Sequence, residues 1–314
     1  MKVLVTGGAG FIGSHVAERL LERGDEVTVL DNFNDFYSPA LKRANAQALR
    51  GARVVEGDIR DVEGVARLFR EGDFGAVVHL AAMAGVRPSL ADPLHYADVN
   101  VRGTQILLRE LEKRPGVRFV FASSSSVYGA NERVPFRESD DIHRPISPYA
   151  ATKRAGELML SSFHHTHGTH ITCARIFTAY GPRQRPDLAI RKFAERIQRD
   201  EALPVFGDGT AVRDFTFVDD LVDGLVRAID IDLGFSILNF GAGRTVSVRQ
   251  VIETLERALD RKARIEWLPP QTGDVSRTWS DSSAARTALG YAPQVALEEG
   301  VARMVAWLQA GRGA

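Results

Sequence analysis

A doubly wound parallel α/β sheet with a smaller, interleaved C-terminal lobe is the fold this sequence predicts, and three observations carry it. Short β-branched runs alternate with amphipathic helical stretches from Lys2 to Phe177, the pattern of βαβ units whose strands are buried on both faces. Three glycines, Gly7, Gly10 and Gly13, fall between the first such run and the first helical stretch. Beyond Phe177 the pattern becomes irregular, with Gly and Pro concentrated in YGPRQRPD, PVFGDGT and WLPPQTGD, which marks a loop-rich lobe. A chain of 314 residues exceeds the usual size of one compact domain and leaves room for both parts.

The elements follow in order. KVLVT is the first strand and Phe11 to Arg23 the first helix; EVTVL, ARVVEGD, AVVHLAA, RFVFASSSS and ITCARIF are the next five strands. VRDFTFVDDLVDGLVRAI reads as a short strand and a helix, and FSILNFG as a further strand, so the chain is expected to return to the sheet before it ends in the lobe. The division expected is 1–176 with 214–242 for the sheet domain, and 177–213 with 243–314 for the substrate lobe.

Composition excludes several classes of function. Hydrophobic residues at 44% and charged residues at 25% fit a soluble globular protein, and a formal net charge of zero argues against a nucleic-acid or acidic-membrane surface. Cys173 is the single cysteine, which excludes an internal disulfide and a thiolate metal cluster, so no metal is expected and a reducing cytoplasm is. No apolar run approaches the ~20 residues that cross a bilayer, and MKVLVTGGAG is too short an apolar run for a signal peptide.

TGGAGFIG sits between a strand and a helix, the context a dinucleotide fingerprint requires. Gly7 permits the tight turn, Gly10 lets the backbone approach a pyrophosphate, and Gly13 lets helix and strand pack closely, while the helix N-terminus offers free N–H groups. Asp31 ends the second strand, where a carboxylate meets ribose hydroxyls and repels a 2′-phosphate, favouring NAD over NADP. Asp58, closing the third strand in GDIRD, can accept from an adenine amino group; Asp58 or Asp61 can also cap the helix that follows.

In SPYAATKRAGE, Tyr149 and Lys153 lie four residues apart on a helical pattern, so both side chains share one face. Ser147 and Pro148 are suited to opening that helix, which places the phenol at a helix N-terminus. A phenol is a poor base at neutral pH, but the Lys153 ammonium and a nicotinamide cation would bring it towards working range. Ser123, Ser124, Ser125 and Ser126 leave the C-terminal end of the fifth strand, the edge at which open parallel sheets bind ligands; their hydroxyls can donate to a sugar oxygen or simply cap the sheet.

TGGAGFIG, Asp31, HLAA, ASSSSVYG and the Tyr-x-x-x-Lys pair together resemble the extended short-chain dehydrogenase/reductase superfamily over nearly the whole chain. The resemblance implies a Rossmann-type domain, NAD as cofactor, Tyr149 as base, Ser124 as the group polarising a sugar hydroxyl, and Lys153 as a ligand of the nicotinamide ribose. It also implies cofactor contacts from Phe11, Ile12, Asn32, Ile59, Leu80, Ala81, Ala82, Asn100 and Phe177. RIFTAYGPRQRPD, AGVRPSLADP and the double serine are similar to the UDP-glucuronate 4-epimerase branch of nucleotide-sugar epimerases. That likeness implies substrate contacts from Arg87, Ser125, Ser126, Thr178, Arg185, Lys192, Arg213 and Asp274. Gln271 and Thr178 stand where UDP-galactose 4-epimerases usually have Arg and Asn, which points away from a neutral hexose. The competing expectations are a UDP-glucose or UDP-N-acetylglucosamine 4-epimerase, a UDP-glucuronate decarboxylase, a dTDP-sugar 4,6-dehydratase, and a non-catalytic NAD-binding sensor. Apolar stripes on DPLHYADVNVRGTQILLRELEK and SPYAATKRAGELMLSSFHHTHG resemble the pair that forms a four-helix dimer contact in this superfamily.

Overall fold

The computed structural model describes residues 1–269 and 277–311. The first half runs β1 (Lys2–Thr6), α1 (Phe11–Glu22), β2 (Glu26–Asp31), α2 (Pro39–Ala48), β3 (Arg53–Glu56), α3 (Val62–Gly72) and β4 (Ala76–His79). There follow α4 (Val86–Ala91), α5 (Pro93–Ala97), a π-helical turn over Asp98–Gly103, α6 (Thr104–Leu111) and β5 (Arg118–Ser124). A 3-10 turn (Ser125–Tyr128), α7 (Pro148–His167) and β6 (Ile171–Ile176) complete it.

The second half opens with β7 (Thr178–Tyr180), α8 (Ala189–Gln198), β8 (Ala202–Phe206), β9 (Val212–Arg213), β10 (Phe215–Phe217) and α9 (Val218–Asp230). It closes with β11 (Phe235–Phe240), β12 (Val246–Ser247), α10 (Val248–Leu259), β13 (Arg264–Leu268), α11 (Ser283–Leu289) and α12 (Leu297–Gln309).

Seven strands form one parallel sheet in the order β11-β6-β5-β4-β1-β2-β3. The two windings start at β1 and β4, so the strand order reverses between them and opens the crevice where ligands bind in such sheets. Strand sequence explains the layering. All four residues of β4, AVVH, are buried, as a strand covered by helices on both faces must be. On α9, Val218, Leu221, Val222, Leu225 and Ile229 recur at helical spacing and are buried, and the helix packs on α1 and β5. Leu225 is fully buried, and its truncation to alanine removes about 2–5 kcal/mol.

FSILNF joins the sheet as β11, pairing with β6 from Phe235↔Ile171 to Phe240↔Ile176. Outside the sheet, the second half forms three small pairings, β10 with β7, β12 with β9 and β13 with β8. The stretch expected as one helix from Asp92 is instead α5 and α6 joined by the π-helical turn. Within that turn the Thr104 hydroxyl donates to the Asn100 carbonyl at 2.6 Å and the Asn100 side chain is held inward on Met83. Among the described residues no helix is long and apolar enough to cross a membrane.

Candidate active site

The β1–α1 turn is built by contact distances that only glycine allows. Gly7 has φ +69 and a Cβ there would stand 2.7 Å from the Ala81 nitrogen; one on Gly13 would stand 2.2 Å from the Gly7 carbonyl oxygen. Gly10 caps α1 without a side-chain bond, so the first-turn N–H groups stay available to an anion. Asp31 is buried; its carboxylate accepts from the Ala9 N–H at 3.1 Å and the Phe33 N–H at 2.9 Å. Burial pushes its pKa up against those bonds and the Lys42 charge. Asp58 accepts from Asn32 at 2.9 Å and from the Arg60 guanidinium at 2.9 and 2.8 Å, and those Arg60 bonds hold its pKa well below the carboxylate range. Neither aspartate caps α3 with its side chain: Asp61 occupies the N-cap position without a carboxylate bond.

A cavity of about 390 Å³ runs from this turn to the C-terminal ends of β5 and β6. Gly7, Gly10, Phe11, Ile12, Gly13, Asp31, Asn32, Asp58, Ile59, Leu80, Ala81 and Ala82 line one end; Ser124, Ser125, Ser126, Tyr149, Lys153, Phe177, Thr178 and Arg185 line the other. The glycine cradle, the acid at the end of β2 and the small residues after β4 together fit a dinucleotide such as NAD.

Ser147 caps α7, its hydroxyl accepting the Ala150 N–H at 3.1 Å, and Pro148 occupies the first turn. Tyr149 is thereby held at the helix N-terminus. Lys153, one turn on, is buried; its ammonium donates to the Ala122 carbonyl at 2.6 Å and stands 6.0 Å from the centre of the Tyr149 ring. Burial pulls the Lys153 pKa down to about 7, opposed by the Glu157 charge. Burial also raises the Tyr149 pKa above its ordinary value, with a hydrogen bond to Ser124 and the Arg185 charge acting in the opposite sense. The expected lowering of the phenol by Lys153 is therefore not what governs the protein alone: desolvation dominates. The Ser124 hydroxyl also accepts the Ser126 N–H at 3.1 Å, which folds the serine run over the sheet edge.

The substrate-contact expectations divide. Ser125, Ser126, Thr178 and Arg185 line the cavity. Arg185 forms two hydrogen bonds to Asp187, at 2.9 and 2.7 Å, and lies over the Phe36 ring at 5.2 Å. Arg87, Lys192 and Arg213 do not line it. The Arg87 guanidinium stacks on Phe206 at 5.4 Å, Lys192 lies half-buried on α8, and Arg213 donates to the Val212 carbonyl at 2.9 Å. Asn100 is likewise not a lining residue: its side chain accepts the Met83 N–H at 2.8 Å and donates to the Met83 carbonyl and Thr152 hydroxyl at 3.0 Å each. Asp274 and Gln271 lie outside the described residues.

Sequence reasoning missed Asn34, Phe36, Tyr37 and Lys42 in the cavity wall. The Lys42 ammonium donates to Asn34 at 2.7 and 2.8 Å and lies 4.6 Å from the Tyr37 ring centre, beside the buried Asp31. The available signal was Asn34 and Lys42 placed eight residues apart, soon after the strand that ends in Asp31.

Comparison with known proteins matches a family model described as GDP-mannose 4,6 dehydratase over residues 4–304. A UDP-glucuronate 4-epimerase of Thermodesulfobacterium geofontis is 42% identical over 97% of this chain and 95% of its own. The crystal structure of UDP-glucuronic acid 4-epimerase from Bacillus cereus in complex with UDP-glucuronic acid and NAD superposes with a TM-score of 0.93 at 34% identity, covering 99% of each chain. A UDP-glucose 4-epimerase of Thermotoga maritima, solved with UDP-glucose, superposes with a TM-score of 0.91 at 36% identity, again over 99% of each chain.

Proposed function

Since the chain belongs to the family of the GDP-mannose 4,6 dehydratase model, within the extended short-chain dehydrogenase/reductases, we propose that it interconverts UDP-glucuronate and UDP-galacturonate. The reaction is an NAD-dependent epimerisation at C4. The observation that carries this reading is the convergence of Tyr149, Ser124 and Lys153 with Ser125, Ser126, Thr178 and Arg185 on one cavity wall: an acid–base group beside donors suited to a sugar carboxylate.

Tyr149 takes the proton of the C4 hydroxyl while the Ser124 hydroxyl, lining the same end of the cavity, holds that oxygen in place. NAD, when bound, accepts the C4 hydride and returns it, and its ring charge favours the phenolate. Lys153, fixed on the Ala122 carbonyl, contributes its ammonium when charged and is placed to bind the cofactor ribose. The Tyr149 proton returns to the sugar oxygen once the ketone has turned its other face. The 4-keto acid loses carbon dioxide if its carboxylate aligns the breaking bond with the ketone. Donors from Ser125, Ser126 and Thr178 hold the carboxylate out of that alignment, and the Arg185 charge faces the anionic substrate.

The deciding experiment follows two hydrogens. Deuterium placed at C4 of UDP-glucuronate is expected to survive into UDP-galacturonate, and turnover in deuterated water to leave C5 unlabelled, by NMR and mass spectrometry. C5 labelling would indicate a different reaction, an accumulating UDP-pentose a decarboxylase, and turnover of UDP-glucose alone a neutral-hexose enzyme.

The second copy of this chain is the partner we infer for the face formed by α4, α5 and α7. Leu90, Leu94 and Leu158 are 58%, 81% and 55% exposed there, among the largest exposures of big apolar side chains described, and a twofold contact of helices would cover them. Light scattering is expected to give a dimer, and Leu94→Glu with Leu158→Glu a folded monomer; a parent that is monomeric at micromolar concentration would remove the dimer. Work in a reducing cytoplasm fits the lone, buried Cys173.

A further inference from the structure

We propose that Glu157 is a positioning residue of this reaction: its carboxylate holds Lys153 as an ammonium from one helical turn away and clamps the strand end that carries Ser124. The inference rests on the epimerase reading above. Glu157 lies on α7 four residues after Lys153, with its side chain fully buried. One oxygen accepts from the Ser123 hydroxyl at 2.6 Å and from Arg175 at 2.9 Å; the other accepts from Arg175 at 3.0 Å and Arg154 at 3.1 Å. Ser123 is the neighbour of Ser124 on β5, and Arg175 sits on β6. The carboxylate therefore joins the helix carrying Tyr149 and Lys153 to both strands at their ligand-binding ends.

Arg175 extends the clamp. Its guanidinium also donates to the Tyr128 hydroxyl at 3.1 Å, and Tyr128 donates to Asn239 on β11 at 2.6 Å. Stability alone is a weak reason for such an arrangement. A buried ion pair is repaid only in part for its lost hydration, and apolar replacements of the whole pair are often neutral or stabilising.

What surrounds Lys153 gives the carboxylate a second task. The ammonium is 5.0 Å from the Phe121 ring centre and bonded to the Ala122 carbonyl on β5. Gly156 makes that approach possible, because a Cβ there would stand 2.5 Å from the Phe121 ring. His79 on β4 is buried and stays neutral, its pKa pushed down to about 3 by burial and then by Lys153. Cys173 on β6 is buried with a raised pKa and stays uncharged, and Tyr149 on the same helix, half-buried with a raised pKa, is a neutral phenol until the cofactor's charge is present. Among the described groups, the one whose charge supports the ammonium against burial is Glu157. Without it, only the Ala122 carbonyl and the Phe121 ring oppose burial, and Lys153 gives up its proton at a lower pH.

The test uses NAD-loaded enzyme and UDP-glucuronate across neutral to alkaline pH. Glu157→Gln is expected to lower kcat about 10- to 100-fold, leave KM near that of the parent, and move the alkaline fall in kcat to lower pH. Ser123→Ala keeps the charge and loses the tie to β5, so kcat should drop with the pH profile in place. A Glu157→Gln profile that superposes on the parent's, or a rise in KM with kcat unchanged, would overturn the proposal. Should Glu157→Gln fail to fold because Arg175 is left unpaired, Glu157→Gln with Arg175→Gln removes the carboxylate together with an opposing cation, so kcat should still drop through the lost clamp with a smaller shift of the alkaline limb, and a parental kcat in that variant would overturn the proposal. Parent enzyme run in parallel separates the outcomes: an inert parent defeats the epimerase reading, whereas an active parent with an unmoved variant defeats only the role of Glu157.

Discussion

Tyr149→Phe is expected to lower epimerisation about 10³-fold, some 4 kcal/mol of transition-state stabilisation, with UDP-glucuronate affinity nearly unchanged. The phenol proton is transferred as C4 is oxidised and again as it is reduced, so the lost interaction belongs to the transition state. Little else depends on the hydroxyl. The Tyr149 ring packs against the apolar core that contains Val77 of β4 and Phe119 and Phe121 of β5, and meets Tyr96 edge-on at 6.3 Å, contacts that phenylalanine keeps. The pH sign favours a clean comparison. A phenol whose pKa is raised by burial is protonated in both folded and unfolded chains at neutral pH and makes stability fall only as pH rises past the ordinary value near 10, so at neutral pH its ionisation adds no stability difference between parent and variant. NMR turnover and titration calorimetry would check both halves, and a variant with near-parental turnover would remove Tyr149 as the base.

Gly13→Ala is expected to abolish cofactor retention and to cost at least about 3 kcal/mol in stability. The added methyl would lie 2.2 Å from the Gly7 carbonyl oxygen and 2.8 Å from the Gly8 Cα, and backbone atoms cannot swing aside as a side chain can. Either α1 moves off β1 or the turn opens; both withdraw the N–H groups that receive a pyrophosphate. Thermal unfolding and absorbance of the purified protein would measure it. A variant that melts with the parent and retains NAD would show that the turn tolerates a Cβ, against the packing described.

The turn at Gly7 was legible because its chemistry is local: glycine is required by backbone distances within a few residues, and strand and helix flank it directly. The same holds for α7, where Ser147 and Pro148 announce the helix start and the four-residue interval places Tyr149 above Lys153. Arg87 and Arg213 were not legible in this way. A guanidinium is long enough to serve several neighbours: the Phe206 ring that Arg87 meets is set by tertiary packing, while Arg213, on β9, turns back to the carbonyl of its neighbour Val212. Asn100 shows a different limit, since its capture by Met83 and Thr152 depends on a π-helical turn that helical periodicity does not encode. Glu157 and Arg175 were hidden for a third reason: charged residues in a helix and a strand read as solvent-facing until the partner that buries them is known.

The position of β11 at the sheet edge has a consequence for biosynthesis. Strand β6 carries Arg175 and borders β5, yet it becomes an interior strand only when Phe235–Phe240 pairs with it. A chain emerging from the ribosome through residue 234 therefore presents β6 as an open edge, able to template pairing with another nascent chain. Asn239, which receives the Tyr128 hydroxyl, arrives with the same strand, so the final geometry behind the serine run awaits it too. Such distant pairing makes closure slow relative to local helix formation, and the interval between translating β6 and translating β11 is when the unfinished sheet is most exposed to aggregation and most in need of a chaperone.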